Sequence, residues 1–269
     1  MKRFKTVHYT IHSNKIKDAR GIRFAVIADL HGMEFGPDNR KLLETIHRYR
    51  PDGILIAGDM IVRNDPASLK TASSLLMSLA QQYPVYYALG NHEYKLYRTD
   101  SQENCMAARY QEYEKELKTA GIHIMHNESC SLQVGKTSLT VYGLEIPLIY
   151  YKKPFSPQLK REEVRELIGE PSSDSLNILL AHSPKYGDTY FDWGADLILS
   201  GHYHGGIVRL GRHNGLLSPQ LHPFPKFCCG DFHRKDQHML VSAGAGEHTI
   251  PVRIHNPREL LMVDLKPSD

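Results

Sequence analysis

Two carboxylates, one carboxamide and four imidazoles stand in short clusters along this chain, and side chains of these types suit a pair of first-row divalent cations. The clusters are Asp29-Leu30-His31, Gly58-Asp59-Met60, Gly90-Asn91-His92-Glu93, Ala181-His182-Ser183 and Gly201-His202-Tyr203-His204-Gly205-Gly206. Asp29, His31, Asp59, Asn91, His182, His202 and His204 are the candidate ligands, with no thiolate among them. An all nitrogen and oxygen set points to manganese first, with iron or zinc as alternatives. The chain holds 16 His, and histidine is the commonest metal ligand, so the excess asks for such a use. Side-chain alternation lapses where a strand ends, so Asp29-x-His31 and His202-x-His204 can each aim both side chains at one ion.

Taken singly, most of these clusters have a plainer reading. An Asp at a strand end is more often a cap, and Asn after Gly is a routine turn residue. A single His is more often hydrogen-bonded and partly buried than bound to metal. The run from Gly201 to Gly206 is the sharpest, because two histidines and three glycines in six residues have little use in a hairpin. Order and place carry the rest of the weight, since each cluster follows an apolar, β-branched run. In open α/β sheets the strand ends converge on one crevice, which is where ligands bind.

Those runs, at residues 23–28, 53–57, 85–89, 138–142, 176–181 and 195–200, read as buried strands. Helical periodicity fills 39–50 and 67–83, giving β-α-β-α-β at the start, with a polar helix at 102–120 and a short one at 162–168. Strands at 206–210, 239–243 and 259–265 come with few helices between them, which predicts antiparallel pairing in the later half. The fold expected is α/β: a two-sheet β-sandwich flanked by helices. It forms a single domain over 1–269, with rim insertions near 94–120 and 211–230.

Composition narrows the class further. Over 269 residues the hydrophobic share is 41% and the charged share 23%, which is ordinary globular usage. A net charge of +3 from scattered basic residues implies no nucleic-acid partner. Cys105, Cys130, Cys228 and Cys229 show neither disulfide-scaffold density nor zinc-site spacing. No apolar run reaches the length of a signal core or membrane span, so a cytoplasmic location is expected.

The ordered clusters resemble the calcineurin-like metallophosphoesterase superfamily, from about Ile22 to the C-terminus. Within it they are similar to the bacterial phosphodiesterase-like branch, through Gly201-His202-x-His204-Gly205-Gly206-x-Val208-Arg209-Leu210, Val241-Ser242-x-Gly244 and Pro251-Val252-Arg253. Tyr203 stands where that branch usually has Thr, and Glu93 where it more often has Asp. Leu89 replaces the Arg of the protein Ser/Thr phosphatases, and their Asp-Arg-Gly run is absent after Asp59. The resemblance implies one ion held by Asp29, His31, Asp59 and His204 and another by Asp59, Asn91, His182 and His202, with Asp59 bridging. His92 would be the proton donor or charge stabiliser.

The reaction so implied is phosphodiester hydrolysis by in-line attack of a hydroxide shared between two ions. A phosphomonoesterase of the same fold is the alternative, and a non-catalytic metal-binding scaffold is the rival of another class. Relatives of the branch include membrane-associated enzymes, so the substrate expected is a phosphorylated small molecule or lipid, and peripheral membrane contact is open. Arg209 and Arg253 are candidate phosphate contacts, and His248 beside Glu247 a supporting residue. The segment 221–229 reads as an apolar mouth or as packing under a long loop.

Overall fold

The computed structural model describes residues 2–102, 104–152, 155–211, 214–216, 224–247 and 252–268. Two mixed six-stranded sheets face one another. The first has the order β1 (Lys5–Ser13), β14 (Glu259–Pro267), β2 (Ile22–Ile27), β3 (Gly53–Ala57), β4 (Val85–Ala88) and β5 (His123–Met125). The second has the order β12 (Gly230–Arg234), β13 (Gln237–Val241), β9 (Leu197–Ser200), β8 (Leu176–Ala181), β7 (Thr137–Leu144) and β6 (Ser129–Val134).

Strand alternation sorts the side chains into three apolar layers. Along β2 and β3, Phe24, Val26, Leu55 and Ala57 point between the sheets, where they meet Ile178 and Leu180 of β8 and Leu197 and Leu199 of β9. Their neighbours Ala25, Ile27, Ile54 and Ile56 point outward, under α1 (Arg40–Tyr49), α2 (Pro66–Ala80) and α4 (Cys105–Thr119). On the second sheet Leu179, Ala181 and Ile198 pack beneath α5 (Arg161–Ile168) and α6 (Gly187–Trp193). Strands buried on both faces explain why these segments read as unbroken apolar runs. The α/β two-sheet sandwich flanked by helices is therefore the observed architecture.

Local chemistry fixes where the helices start. Asp65 caps α2 by accepting the Ala67 N–H at 3.0 Å, with Pro66 opening the helix. Asn104 caps α4 through the Met106 N–H at 2.9 Å. Although α4 is polar on one side, it buries Tyr110, Tyr113 and Leu117 in the layer shared with α2 and the first sheet. No helix among the described residues is long and apolar enough to cross a membrane.

Three sequence expectations change. The strand expected at 206–210 shrinks to β10 (Arg209–Leu210), paired with β11 (Asn214–Gly215), because Gly205 and Gly206 adopt φ of 68° and 80° and keep the chain turning. Antiparallel pairing holds for β12 with β13 and for β14 with β2, but β13 lies parallel to β9. The long excursion between those two strands supplies the crossover that a parallel pair requires. Finally, β1 forms a parallel edge on β14, a strand that the polar sequence of Lys5–Ser13 hid. Of the segment near 211–230, residues 212–213 and 217–223 lie outside the described residues.

Candidate metal centre

Strands β2, β3 and β4 are parallel to one another, as are β7, β8 and β9, so within each sheet the carboxyl ends open on the same side. Asp29 and His31 follow β2, Asp59 follows β3, and Asn91 opens α3 (Asn91–Tyr97) after β4. His182 follows β8, and His202 and His204 follow β9. Five of these seven residues have left-handed backbone: Asp29 (φ 51°), His31 (47°), Asp59 (54°), His202 (67°) and His204 (50°). Asp, Asn and His tolerate that region better than most residues, yet each instance still costs about 1–3 kcal/mol. Such strain collected on candidate ligands is a mark of function rather than of folding.

Hydrogen bonds lock the turns to one another. The Asp29 N–H donates to Gly58 O at 2.9 Å and the His31 N–H to Asp59 O at 3.1 Å. The His202 N–H donates to the Asp29 carboxylate at 2.9 and 3.0 Å, and the His92 N–H to Asp59 Oδ1 at 2.9 Å. Gly90 is required here for space alone, because a Cβ there would lie 2.1 Å from Asp59 Oδ1 and 2.4 Å from the Asp59 backbone nitrogen. Gly90→Ala is accordingly expected to lower kcat/KM about a hundredfold, the usual result of ångström-scale misplacement. Metal content and steady-state rates measured together check this, and a wild-type rate would show that the turn yields freely.

Among the described residues, three overlapping groups of potential ligands result, with ligand atoms in each lying within 4.8 Å of one another: Asp29, His31 and His204; His31, Asp59 and His92; and Asp59, His182 and His202. His31 Nε2 lies 3.2 Å from His204 Nε2 and 3.8 Å from Asp59 Oδ2, and His182 Nε2 lies 3.1 Å from Asp59 Oδ2. Two buried atoms test whether a cation fits. Asn91 Oδ1 and His182 Nε2 have no hydrogen-bond partner among the described residues, a costly state for polar atoms that a metal ion would relieve. The His182 ring is also set for ligation, since Nδ1 donates to Ala57 O at 2.7 Å and leaves the lone pair on Nε2.

The charges tell the same story. Burial pushes Asp29 up to about 7, the Asp59 charge adding to it against the pull of His182. Burial pushes on Asp59 too, but His182, His92 and His31 outweigh it and hold that carboxyl well below the usual range. For His182, Asp59 and Asp29 overcome burial and raise the ring to about 10. A cation entering this pocket therefore competes with a proton on His182.

A model of the calcineurin-like phosphoesterase family matches residues 22–206. The chain belongs to this family. Among metallophosphoesterase relatives, a Caenorhabditis elegans protein is 28% identical over an alignment of 281 positions that covers 96% of this chain and 53% of that one. An uncharacterised Campylobacter jejuni metallophosphoesterase is 27% identical over an alignment of 257 positions that covers 92% of this chain and 60% of that one. The chain thus spans little more than half the length of these relatives. A Staphylococcus aureus structure, given provisionally as a 5'-nucleotidase, superposes with a TM-score of 0.54 at 13% identity, over 93% of this chain and 55% of that one, a likeness of fold.

The metallophosphoesterase site also depends on residues whose roles the sequence did not reveal. Glu93 is fully buried and accepts five hydrogen bonds: from the N–H groups of Asp59, Met60, Ile61 and Gly90, and from the Tyr87 hydroxyl. It ties the Asp59 turn to the Gly90 turn, and burial followed by the Asp59 charge pushes it up to about 7. Tyr151 stacks edge-on against His202, with ring centroids 5.2 Å apart.

The two arginines named as candidate phosphate contacts are engaged with other groups of the chain. Arg209 is buried in an ion pair with Glu259 at 2.7 Å, and Arg253 is spent on backbone carbonyls behind His204. His248 lies outside the described residues, as do 221–223 of the expected apolar mouth. From that segment Phe227, Cys228 and Cys229 are buried, while Phe224 is 68% exposed.

Proposed function

We propose that the protein hydrolyses phosphodiester bonds with two divalent metal ions, manganese foremost and iron or zinc as alternatives. The observation that carries this reading is the grouping of Asp29, His31, Asp59, His182, His202 and His204, together with Asn91 Oδ1 and His182 Nε2, buried atoms without a hydrogen-bond partner among the described residues. Asp29, His31 and His204 would hold one ion, Asn91, His182 and His202 the other, with Asp59 common to both. The shared role of Asp59 is supported by its place in two of the three overlapping groups. When bound, the ions supply an activated water and offset the charge that gathers on phosphorus during in-line displacement.

The remaining work falls to the chain itself. His92 Nδ1 accepts the Arg63 N–H at 3.1 Å, so the neutral ring carries its proton on Nε2. Its Nε2–H can hydrogen-bond to the charge that develops on a departing alkoxide, and in this tautomer the ring is a poor metal ligand. Glu93 holds the two turns at fixed spacing, which is the preorganisation that in-line transfer needs. A full donor set with His92 beside it favours an enzyme over a decayed binding scaffold.

The common core between the sheets supports reading 1–269 as one metallophosphoesterase domain; a cytoplasmic location and the absence of a nucleic-acid partner belong to the proposal. The substrate proposed is a phosphorylated small molecule or lipid, and peripheral membrane contact is left to the vesicle arm of the test. The test is a rate comparison with added Mn²⁺ on bis(p-nitrophenyl) phosphate, p-nitrophenyl phosphate and a phospholipid diester in vesicles. Diester turnover is expected to exceed monoester turnover. A much faster monoester would move the reading to a phosphomonoesterase, and no turnover with metal bound would move it to the scaffold.

A further inference from the structure

Asn91 and His182 would share an ion although they come from different sheets, so the two sheets must be held in fixed relation at their carboxyl ends. The chain crosses from the first sheet to the second between β5 and β6, and His126 stands in that crossing. Its Nε2 lies 2.8 Å from Glu114 Oε1 on α4, and its Nδ1 lies 2.8 Å from Glu145 Oε1, just past the carboxyl end of β7. An ionised carboxylate only accepts and a neutral imidazole has a single N–H, so a ring that meets two carboxylates carries both protons and a positive charge. The Glu145 N–H donates to Asn127 Oδ1 at 2.7 Å, which pins the crossing to β7 a second time.

This cluster is built inside the fold. Glu114 and Glu145 are buried, and Lys118 Nζ brings a second cation to Glu114 Oε1 at 2.6 Å. Burial opposes charge on the ring, but the hydrogen bonds and charges of the two glutamates outweigh it and raise His126 to about 9. Burial opposes charge on Glu114 as well, yet His126 and Lys118 hold that carboxyl below its usual range. From the α3 side Tyr97 stacks on the imidazolium, with ring centroids 4.2 Å apart and planes 25° from parallel. Tyr94, near enough to feel the Glu145 charge, and Arg98 are the other titratable groups on that side.

Tyr97 is the last residue of α3, and Asn91 and His92 are the first two. At seven residues α3 is too short to be stable by itself, so it keeps its place through contacts at its ends. Glu93 fixes the first end, and the Tyr97 stack fixes the last. We propose that His126, bridging Glu114 and Glu145, is a positioning residue that holds α3, and with it Asn91 and His92, in place against His182 of the other sheet. The proposal rests on the two-ion reading above. Removing the ring would leave two buried carboxylates without their shared partner, a strongly destabilising change at this junction. Because the folded value of about 9 lies above the ordinary 6.5, the strap is whole below about pH 6.5 and is lost as pH rises through about 9.

Two measurements on the full chain test it: Mn²⁺ binding by equilibrium dialysis near neutral pH, and kcat on bis(p-nitrophenyl) phosphate followed from neutral pH to about pH 10. Wild-type protein is expected to take up two ions and to lose rate with a midpoint near pH 9. His126→Gln should bind one ion at least about tenfold more weakly and the other unchanged, turn over about tenfold or more slower at neutral pH, and lack the limb near pH 9. Tyr97→Leu leaves the buried ions alone and should give the same weakened ion, which keeps the test decisive if His126→Gln does not fold. Two ions at wild-type affinity with wild-type kcat in a folded variant would overturn the strap, even if that variant melted lower. So would an alkaline limb that is missing from the wild type or unchanged in His126→Gln. A wild-type chain that binds no Mn²⁺ would instead overturn the metal reading, and the strap's role in it.

Discussion

Asp59→Asn is expected to abolish turnover, by about a thousandfold or more, while leaving a folded chain. The substitution keeps shape, and Asn occupies the left-handed region as readily as Asp, so the φ of 54° at this position is no obstacle. What it removes is charge at the centre of the site. Asp59 Oδ2 lies 3.1 Å from His182 Nε2 and 3.8 Å from His31 Nε2, between the two groups that would each hold an ion. Two divalent cations held close together repel one another, and a shared carboxylate is the ligand that offsets this; a neutral amide oxygen does so poorly. Several kcal/mol of lost transition-state stabilisation correspond to the stated fall in rate. Metal content measured beside kcat settles the matter. Two ions per chain with an undiminished rate would show that Asp59 is not the bridge.

The same geometry shows what could and could not be read from the sequence. The strands under the site were legible because β2, β3, β4, β8 and β9 are buried on both faces, so each is an apolar run closed by a Gly, Asp or His cluster. The edge strand β1 was not, since most of its residues are exposed or half-buried and its register is set by β14, more than two hundred residues away. The seven candidate ligands were legible through residue type and order. Their left-handed conformations were not, because Asp and His at a strand end fit capping and ligation equally well.

Glu93 and Arg253 show the sharper limit. Each looks like an ordinary polar residue, and each acquires its role from partners far along the chain, such as Asp59 and Met60 for Glu93 and His204 for Arg253. Arginine beside the site suggested phosphate, yet burial decided otherwise. A guanidinium that has found backbone carbonyls inside the fold has little reason to leave them for an exposed ligand.

For His92→Asn the expected outcome is the opposite split: both ions retained and the chemical step slowed by about 10²–10⁴. His92 is close enough to His31 and Asp59 to complete a metal-binding group, so its position alone does not separate a ligand from a proton donor. The hydrogen bond behind the ring does. Where His182 gives its Nδ1 proton to the Ala57 carbonyl and frees Nε2 for a metal, His92 receives the Arg63 N–H on Nδ1 and so keeps its proton on Nε2. The contact from the His92 backbone to Asp59 Oδ1, at 2.9 Å, survives any change of side chain, so Asp59 stays in place. The loss should also depend on the leaving group, being large for diesters that expel an alkoxide and small for those that expel p-nitrophenolate, which departs without a proton. A flat profile across that series, or a variant that binds fewer ions, would place His92 among the ligands and leave the proton to solvent.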